Sequence, residues 1–175
     1  DLEHWTTSLA RGLVSCGLGR GDVLQVSYGY GLFTGGLGLH YGAERVGATV
    51  LPTSIGNTER QIEMMQDLHT TAIACTPSYL LHMGEVAEKI GVSIRDDTDL
   101  RMGILGAEPW SDSMKARIED WLGIKAYDIY GTSELSGPMF CECSEQNGFH
   151  VWGDLSYIEI LDPETGESLG PGEKG

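Results

Sequence analysis

Short runs of β-forming residues, each bounded by glycine, proline or a polar turn, alternate with helical stretches over the first 130 residues. No other feature of the chain constrains its fold as much. Strands are predicted over residues 22–28 (DVLQVSY), 48–53 (ATVLPT), 71–76 (TAIACT), 100–105 and 125–130 (KAYDIY). Leu2, Trp5, Leu9, Leu13 and Val14 fall at helical spacing, and Gly17 and Gly19 stop that helix. A glycine-rich turn over 29–36 leads into a second helix ending near Gly47. A third helix starts at Asn57-Thr58-Glu59 and carries Ile62, Met65 and Leu68. Pro77 opens a fourth that runs to about Ile90, and Ser111 caps a fifth that ends at Leu122. Strands joined through helices must lie parallel, with right-handed crossovers. The expected fold class is α/β, a mostly parallel doubly wound sheet with flanking helices.

The pattern changes after about residue 136. Residues 151–161 and the turn Asp162-Pro163-Glu164-Thr165-Gly166 read as strands and a tight turn with no helix between them. The reading therefore divides the chain into an α/β part, 1–136, and the start of a β-rich subdomain, 137–175. A chain that opens on Asp1 and closes on a Gly-Pro-Gly turn reads as an internal piece of a longer protein.

Eleven basic against 26 acidic residues leave a formal net charge of −15. Nucleic acid and anionic membrane each need a basic face, so neither is expected as a partner. No apolar run approaches the roughly 18 residues of a membrane span, and the first fifteen residues are too charged for a signal peptide. Cys16, Cys75, Cys141 and Cys143 are too few and too scattered for a disulfide framework. A reducing cytoplasm is the expected compartment.

No Gly-Lys dipeptide, HExxH or GxSxG occurs, and Thr34 stands where a GxGxxG motif needs its third glycine. The chemistry-bearing residues gather instead at three predicted strand ends, where open α/β sheets bind ligands. These are Tyr28-Gly29-Tyr30-Gly31-Leu32-Phe33, Gly106-Ala107-Glu108-Pro109-Trp110 and Asp128-Ile129-Tyr130-Gly131-Thr132-Ser133-Glu134. Tyr130 suits stacking on a base, and Asp128 suits accepting from an exocyclic amine. Gly106 and Ala107 let a planar ring approach the backbone, and Glu134 suits a hard cation near phosphate oxygens.

The segments YGYGLFTGGLGLHYGAERVGA, GAEPWSD and DIYGTSELSGP together resemble the phenylacetate–coenzyme A ligases, a branch of the adenylate-forming acyl-CoA synthetases. The resemblance covers essentially the whole chain. DIYGTSE is its most specific motif, with Ser133 where many members carry Thr. It implies that ATP and an arylacetate form an acyl-adenylate, from which coenzyme A displaces AMP. It also implies that Ala107, Glu108 and Pro109 line an adenine pocket and that Asp128 bonds the adenine amine. Tyr130 and Gly131 would complete the nucleotide site, Thr132 would contact the α-phosphate, and Glu134 would hold Mg²⁺. Tyr28, Phe33, Gly106, Ile129 and Pro138 would form the aryl pocket. The phosphate loop, the ribose-gripping Asp and the catalytic Lys of that family have no match here. This piece alone is therefore expected to lack ligase activity, and the full-length enzyme is expected to allow a homodimer.

Cys143 and His150, across a short turn, read equally as a partial zinc site or as a buried thiol and a loop histidine; the resemblance implies that some members of the family complete such a site with a downstream Cys-x-Cys. His40 and Glu44, four apart on a helix, read as a packed or solvated pair, and Cys75 reads as core. Two readings from other classes stay open: a non-catalytic nucleotide-binding module and a zinc-stabilised structural or assembly domain.

Overall fold

The computed structural model describes residues 2–31 and 34–175. Helix α1 spans Leu2–Ser15 and is followed by β1 (Val23–Val26), α2 (Thr34–Val46), β2 (Thr49–Leu51) and α3 (Thr58–Asp67). Then come β3 (Ala72–Cys75), α4 (Pro77–Lys89), α5 (Ile94–Asp97), β4 (Met102–Gly106), α6 (Asp112–Leu122) and β5 (Lys125–Thr132). A 3₁₀ turn, Ser133–Leu135, leads into β6 (Gly137–Cys141). The sheet order is β2-β1-β3-β4-β5-β6, parallel throughout except for β6, which runs antiparallel to β5. The mostly parallel α/β sheet is thus the one the alternation predicts. Each predicted strand forms within a few residues of its expected bounds.

Both faces of the sheet are covered, so its strands read as continuous apolar runs while alternate residues part to opposite sides. Ala72, Ala74, Met102, Ile104, Tyr127 and Ile129 join Leu9 and Leu13 of α1 and Leu39 and Ala43 of α2 in one core. Ile73, Cys75, Leu105 and Ala126 join Ile62, Met65, Leu80, Met83, Ile118 and Leu122 of α3, α4 and α6 in the other. Cys75 is core, as expected. Leu2 and Val14 of α1 and Leu68 past α3 are exposed instead. The buried stripe of α1 includes Gly12, whose Cβ would strike the Cys141 sulfur. Close packing on β6 and α2 therefore selects small residues on that face, which hydrophobic spacing alone does not register.

The caps follow from side-chain chemistry. Thr76, Ser93 and Ser111 each accept a hydrogen bond from the amide three residues on, opening α4, α5 and α6. Residues 137–141 continue the main sheet as its edge strand, where Pro138 is tolerated. The strands expected over 151–161 do not form. That segment is irregular and largely exposed, and only an antiparallel bridge between Leu161 and Ser168 closes the turn after it. β-Propensity without a neighbouring strand to bond to does not make a strand.

Candidate active site

β4 and β5 run side by side with Leu105 opposite Asp128 and Gly106 opposite Ile129, so the loops leaving their carboxyl ends emerge together. The strands come close at this edge: a Cβ on Gly106 would press on the Ile129 carbonyl and stand 2.8 Å from its Cγ1. The chain then turns sharply through Ala107, which adopts a left-handed conformation at φ 68°. That conformation costs a non-glycine residue about 1–2 kcal/mol. The Glu108 carboxylate secures the turn by accepting from the Ser78 amide (2.7 Å) and the Ser78 hydroxyl (2.9 Å) at the first turn of α4. A carboxylate at that position also meets the positive end of the helix dipole.

Alternation along β5 puts Asp128 and Tyr130 on one face and Ile129 and Gly131 on the other. Two cavities result. The first, of about 400 Å³, is lined by Ala107, Glu108, Pro109, Trp110, Asp128, Tyr130 and Phe149. The second, of about 300 Å³, is lined by Tyr28, Thr34, Gly35, Leu39, Thr132, Ser133, Gly137 and Pro138. Ala107, Ile129 and Gly131 line both and form the wall between them.

In the first cavity Tyr130 is 55% exposed, and its ring stacks on Phe140 of β6 with centroids 5.8 Å apart. It is an aromatic plate supported from behind. Burial raises the pKa of Asp128 above the usual carboxylate range. The nearby Trp110 indole N–H, which makes no well-formed hydrogen bond, and the Lys115 cation oppose that rise, and the Glu142 charge adds to it.

In the second cavity Tyr28 is buried and its hydroxyl donates to the Cys75 carbonyl at 2.6 Å, with the Gly106 carbonyl a longer acceptor at 3.2 Å. It ties the ends of β3 and β4, and burial pushes its pKa well up. Phe33, expected beside it, lies outside the described residues. At the mouth, Glu134 is fully exposed. Its own amide and the Thr132 hydroxyl hold its carboxyl below the usual range.

Cys143 and His150 are not brought into a larger donor set: among the described residues no three His, Cys, Asp or Glu side chains form a metal-holding group. The His150 ring lies parallel to that of Trp152, and its amide donates to the Cys141 carbonyl. His40 and Glu44 pair at 3.5 Å, and the Tyr30 hydroxyl stands 3.2 Å from His40 Nδ1. Trp110 is given no role by the sequence beyond its place at a strand end, and Phe149 and Thr34 are not singled out as site residues. Trp110 lies in the GAEPW motif that points to it, whereas nothing local to Phe149 does.

A six-stranded α/β sheet with paired cavities at the carboxyl ends of β4 and β5 is a ligand-binding scaffold. The family of AMP-binding enzymes matches residues 30–175, and the chain belongs to it. The phenylacetate-coenzyme A ligase of Pseudomonas putida is 49% identical over 177 residues, taking in all of this chain and 40% of the relative. That of Escherichia coli (strain K12) is 46% identical with the same coverage. The chain thus spans about 40% of the length of the curated relatives it matches. Among solved structures, an open conformation of 2-hydroxyisobutyryl-CoA ligase in complex with 2-HIB-AMP and CoA superposes with a TM-score of 0.90 at 28% identity. The match covers 97% of this chain and 41% of that one.

Proposed function

We propose that this chain supplies half of the adenylate site and the aryl pocket of an AMP-forming ligase that activates phenylacetate or a similar arylacetate. In the reaction the substrate carboxylate attacks the ATP α-phosphate, releasing pyrophosphate and leaving an acyl-adenylate. Coenzyme A thiolate then attacks the acyl carbon and expels AMP.

The observation that carries this reading is the shared wall of the two cavities. A base stacked on Tyr130 with its amine at Asp128 would direct its phosphate toward Gly131 and Thr132. An aryl ring between Tyr28, Ile129 and Pro138 would bring its carboxylate to the same point. At about 300 Å³ the second cavity exceeds the roughly 150 Å³ that suffices for benzene. Holding two reactants in line is the larger part of such catalysis, because the chemistry itself needs little from the protein beyond positioning and charge stabilisation.

Glu134, exposed just past β5, would hold a Mg²⁺ near the phosphates of a bound nucleotide. When bound, that ion neutralises phosphate charge. Zinc fits poorly, since Cys143 and His150 are two donors of the four that a structural site needs, and no role is assigned through it. The division into an α/β part, 1–136, and the start of a β-rich subdomain, 137–175, is part of the proposal, with 137–141 joined to the main sheet as its edge strand. No described helix is long and apolar enough to cross a membrane; a cytoplasmic location and a homodimer are further parts of the proposal.

The reading is tested in the Pseudomonas putida relative with its matching segment replaced by this chain. Tyr130→Ala should raise the ATP KM about five- to 150-fold, since stacking on a base contributes about 1–3 kcal/mol, and leave the phenylacetate KM within twofold. Pro138→Trp, which fills the aryl cavity, should do the reverse. Equal changes in both constants for either variant would overturn the assignment of the two cavities.

A further inference from the structure

Behind Asp128 lies an ion pair that the proposed chemistry does not use. Lys115 of α6 reaches Glu142, just past β6, with Nζ 2.6 Å from Oε2; the side chains are only 17% and 10% exposed. The same Glu142 oxygen accepts the Asp128 amide at 2.8 Å, and the Glu142 amide donates to the Asp128 carbonyl at 3.1 Å. One residue therefore holds both main-chain polar groups of Asp128. The Lys115 ammonium also stands 6.0 Å from the centre of the Trp110 ring, whose indole N–H faces the Asp128 carboxylate.

Stability alone does not account for such a pair. Replacing a buried ion pair by apolar side chains is often neutral or stabilising, because desolvating the charges costs as much as their attraction returns. Its position supplies a use. The Glu142 carboxylate, bonded to the Asp128 amide across the β5–β6 edge, lies near enough for its charge to oppose ionisation of the Asp128 carboxyl. The groups acting on Asp128 are Glu142 from the chain after β6, Trp110 from the β4–α6 loop, the Ile129 main chain and Lys115 from α6. Cys141 and Tyr28 feel its charge in turn. Lys115 is the cation of that set.

We propose that Lys115 is a positioning residue of the nucleotide site: through Glu142 it fixes the Asp128 main chain, and its charge offsets that of Glu142 so that the Asp128 carboxylate stays ionised to accept from the amine edge of an aminopurine. The aminopurine half rests on the proposed function; the charge coupling does not.

The test is a ¹³C NMR titration of aspartate carboxyls in the 175-residue chain. Lys115→Met should move the Asp128 midpoint up by about one pH unit or more, and Glu142→Gln should move it down. Lys115→Arg should leave it near that of the unsubstituted chain. A merely structural lysine would change stability without these opposite movements. If Lys115→Met does not fold, the double variant Lys115→Met/Glu142→Gln, which leaves no unpaired charge, should fold and show a midpoint at or below the original. An unmoved midpoint in folded Lys115→Met, a raised one in the double variant, or single variants that shift the same way would overturn the proposal. In a second measurement, millimolar AMP should shift the 128–130 amide signals more than inosine monophosphate, which lacks the amine. As pH falls, that preference should be lost at a higher pH in Lys115→Met than in the unsubstituted chain, following the shifted Asp128 midpoint. Titrations as expected with no response to AMP would overturn the aminopurine half and uphold the coupling.

Discussion

Replacing Tyr28 by Phe removes one oxygen atom and keeps the ring that walls the second cavity. The hydroxyl is buried and its bond to the Cys75 carbonyl is short, 2.6 Å, while the 3.2 Å approach to the Gly106 carbonyl adds little. A buried hydrogen bond contributes about 0.5–1.5 kcal/mol net, and leaving its acceptor unsatisfied moves the cost toward the upper end. The expected loss is about 1–2 kcal/mol. For a chain of this size each kcal/mol lowers Tm by about 2–4 °C, so thermal unfolding followed by circular dichroism should show a fall of roughly 2–8 °C. The alkaline side gives an independent sign. Burial raises the Tyr28 pKa above its ordinary 10.0, so its contribution is fully present below pH 10.0 and is lost as pH rises through the folded-state value. Stability of the unsubstituted chain should fall more steeply above pH 10 than that of Tyr28→Phe. An unchanged Tm together with parallel alkaline profiles would refute the argument that this hydroxyl ties β3 to β4.

Asp22, at the other end of β1 from Tyr28, gives the acid counterpart. Burial disfavours its charge, but the Thr71 hydroxyl, the Arg101 guanidinium and the Gly19 amide outweigh that and hold its pKa below 3.8. Its contribution should therefore be present above pH 3.8 and disappear as pH falls through the lowered value, and urea midpoints across pH 2–5 should show this slope flattened in Asp22→Asn. Gly106→Ala places a methyl against the Ile129 carbonyl, so β4 and β5 must separate at the site. An overpacking cost of about 1–3 kcal/mol is expected, and a Tm within 1 °C of the original would contradict it.

Strand identity was legible because both faces of the sheet are buried. A run such as TAIACT, with Ile73 and Cys75 on one side and Ala72 and Ala74 on the other, has no other comfortable environment. The pairing of Asp128 with Tyr130 was legible too, since residues two apart on a strand share a face. What failed depends on partners distant in sequence. β6 carries Gly137 and Pro138, which argue against a strand until an edge position is available. The 151–161 run has strand propensity but finds only a single bridge, Leu161 to Ser168, at its end. On α1 the buried face is set by Gly12 meeting Cys141, and Gly42 of α2 lies against Leu9, so closeness rather than bulk decides the packing. The Lys115–Glu142 pair spans 27 positions and is created by the fold. Glu108 was expected at the adenine pocket by resemblance, but its grip on the start of α4 follows from the placement of Ser78.

The measurement that bears most directly on the central claim is a crystal structure of the chimeric ligase bound to a non-hydrolysable phenylacetyl-adenylate analogue. The adenine should lie against Tyr130 with its amine at Asp128. The phenyl ring should sit between Tyr28, Ile129 and Pro138, and the acyl–phosphate linkage should pass Gly131 and Thr132. An adenine or a ring bound outside these two cavities, or the two exchanged, would contradict the account.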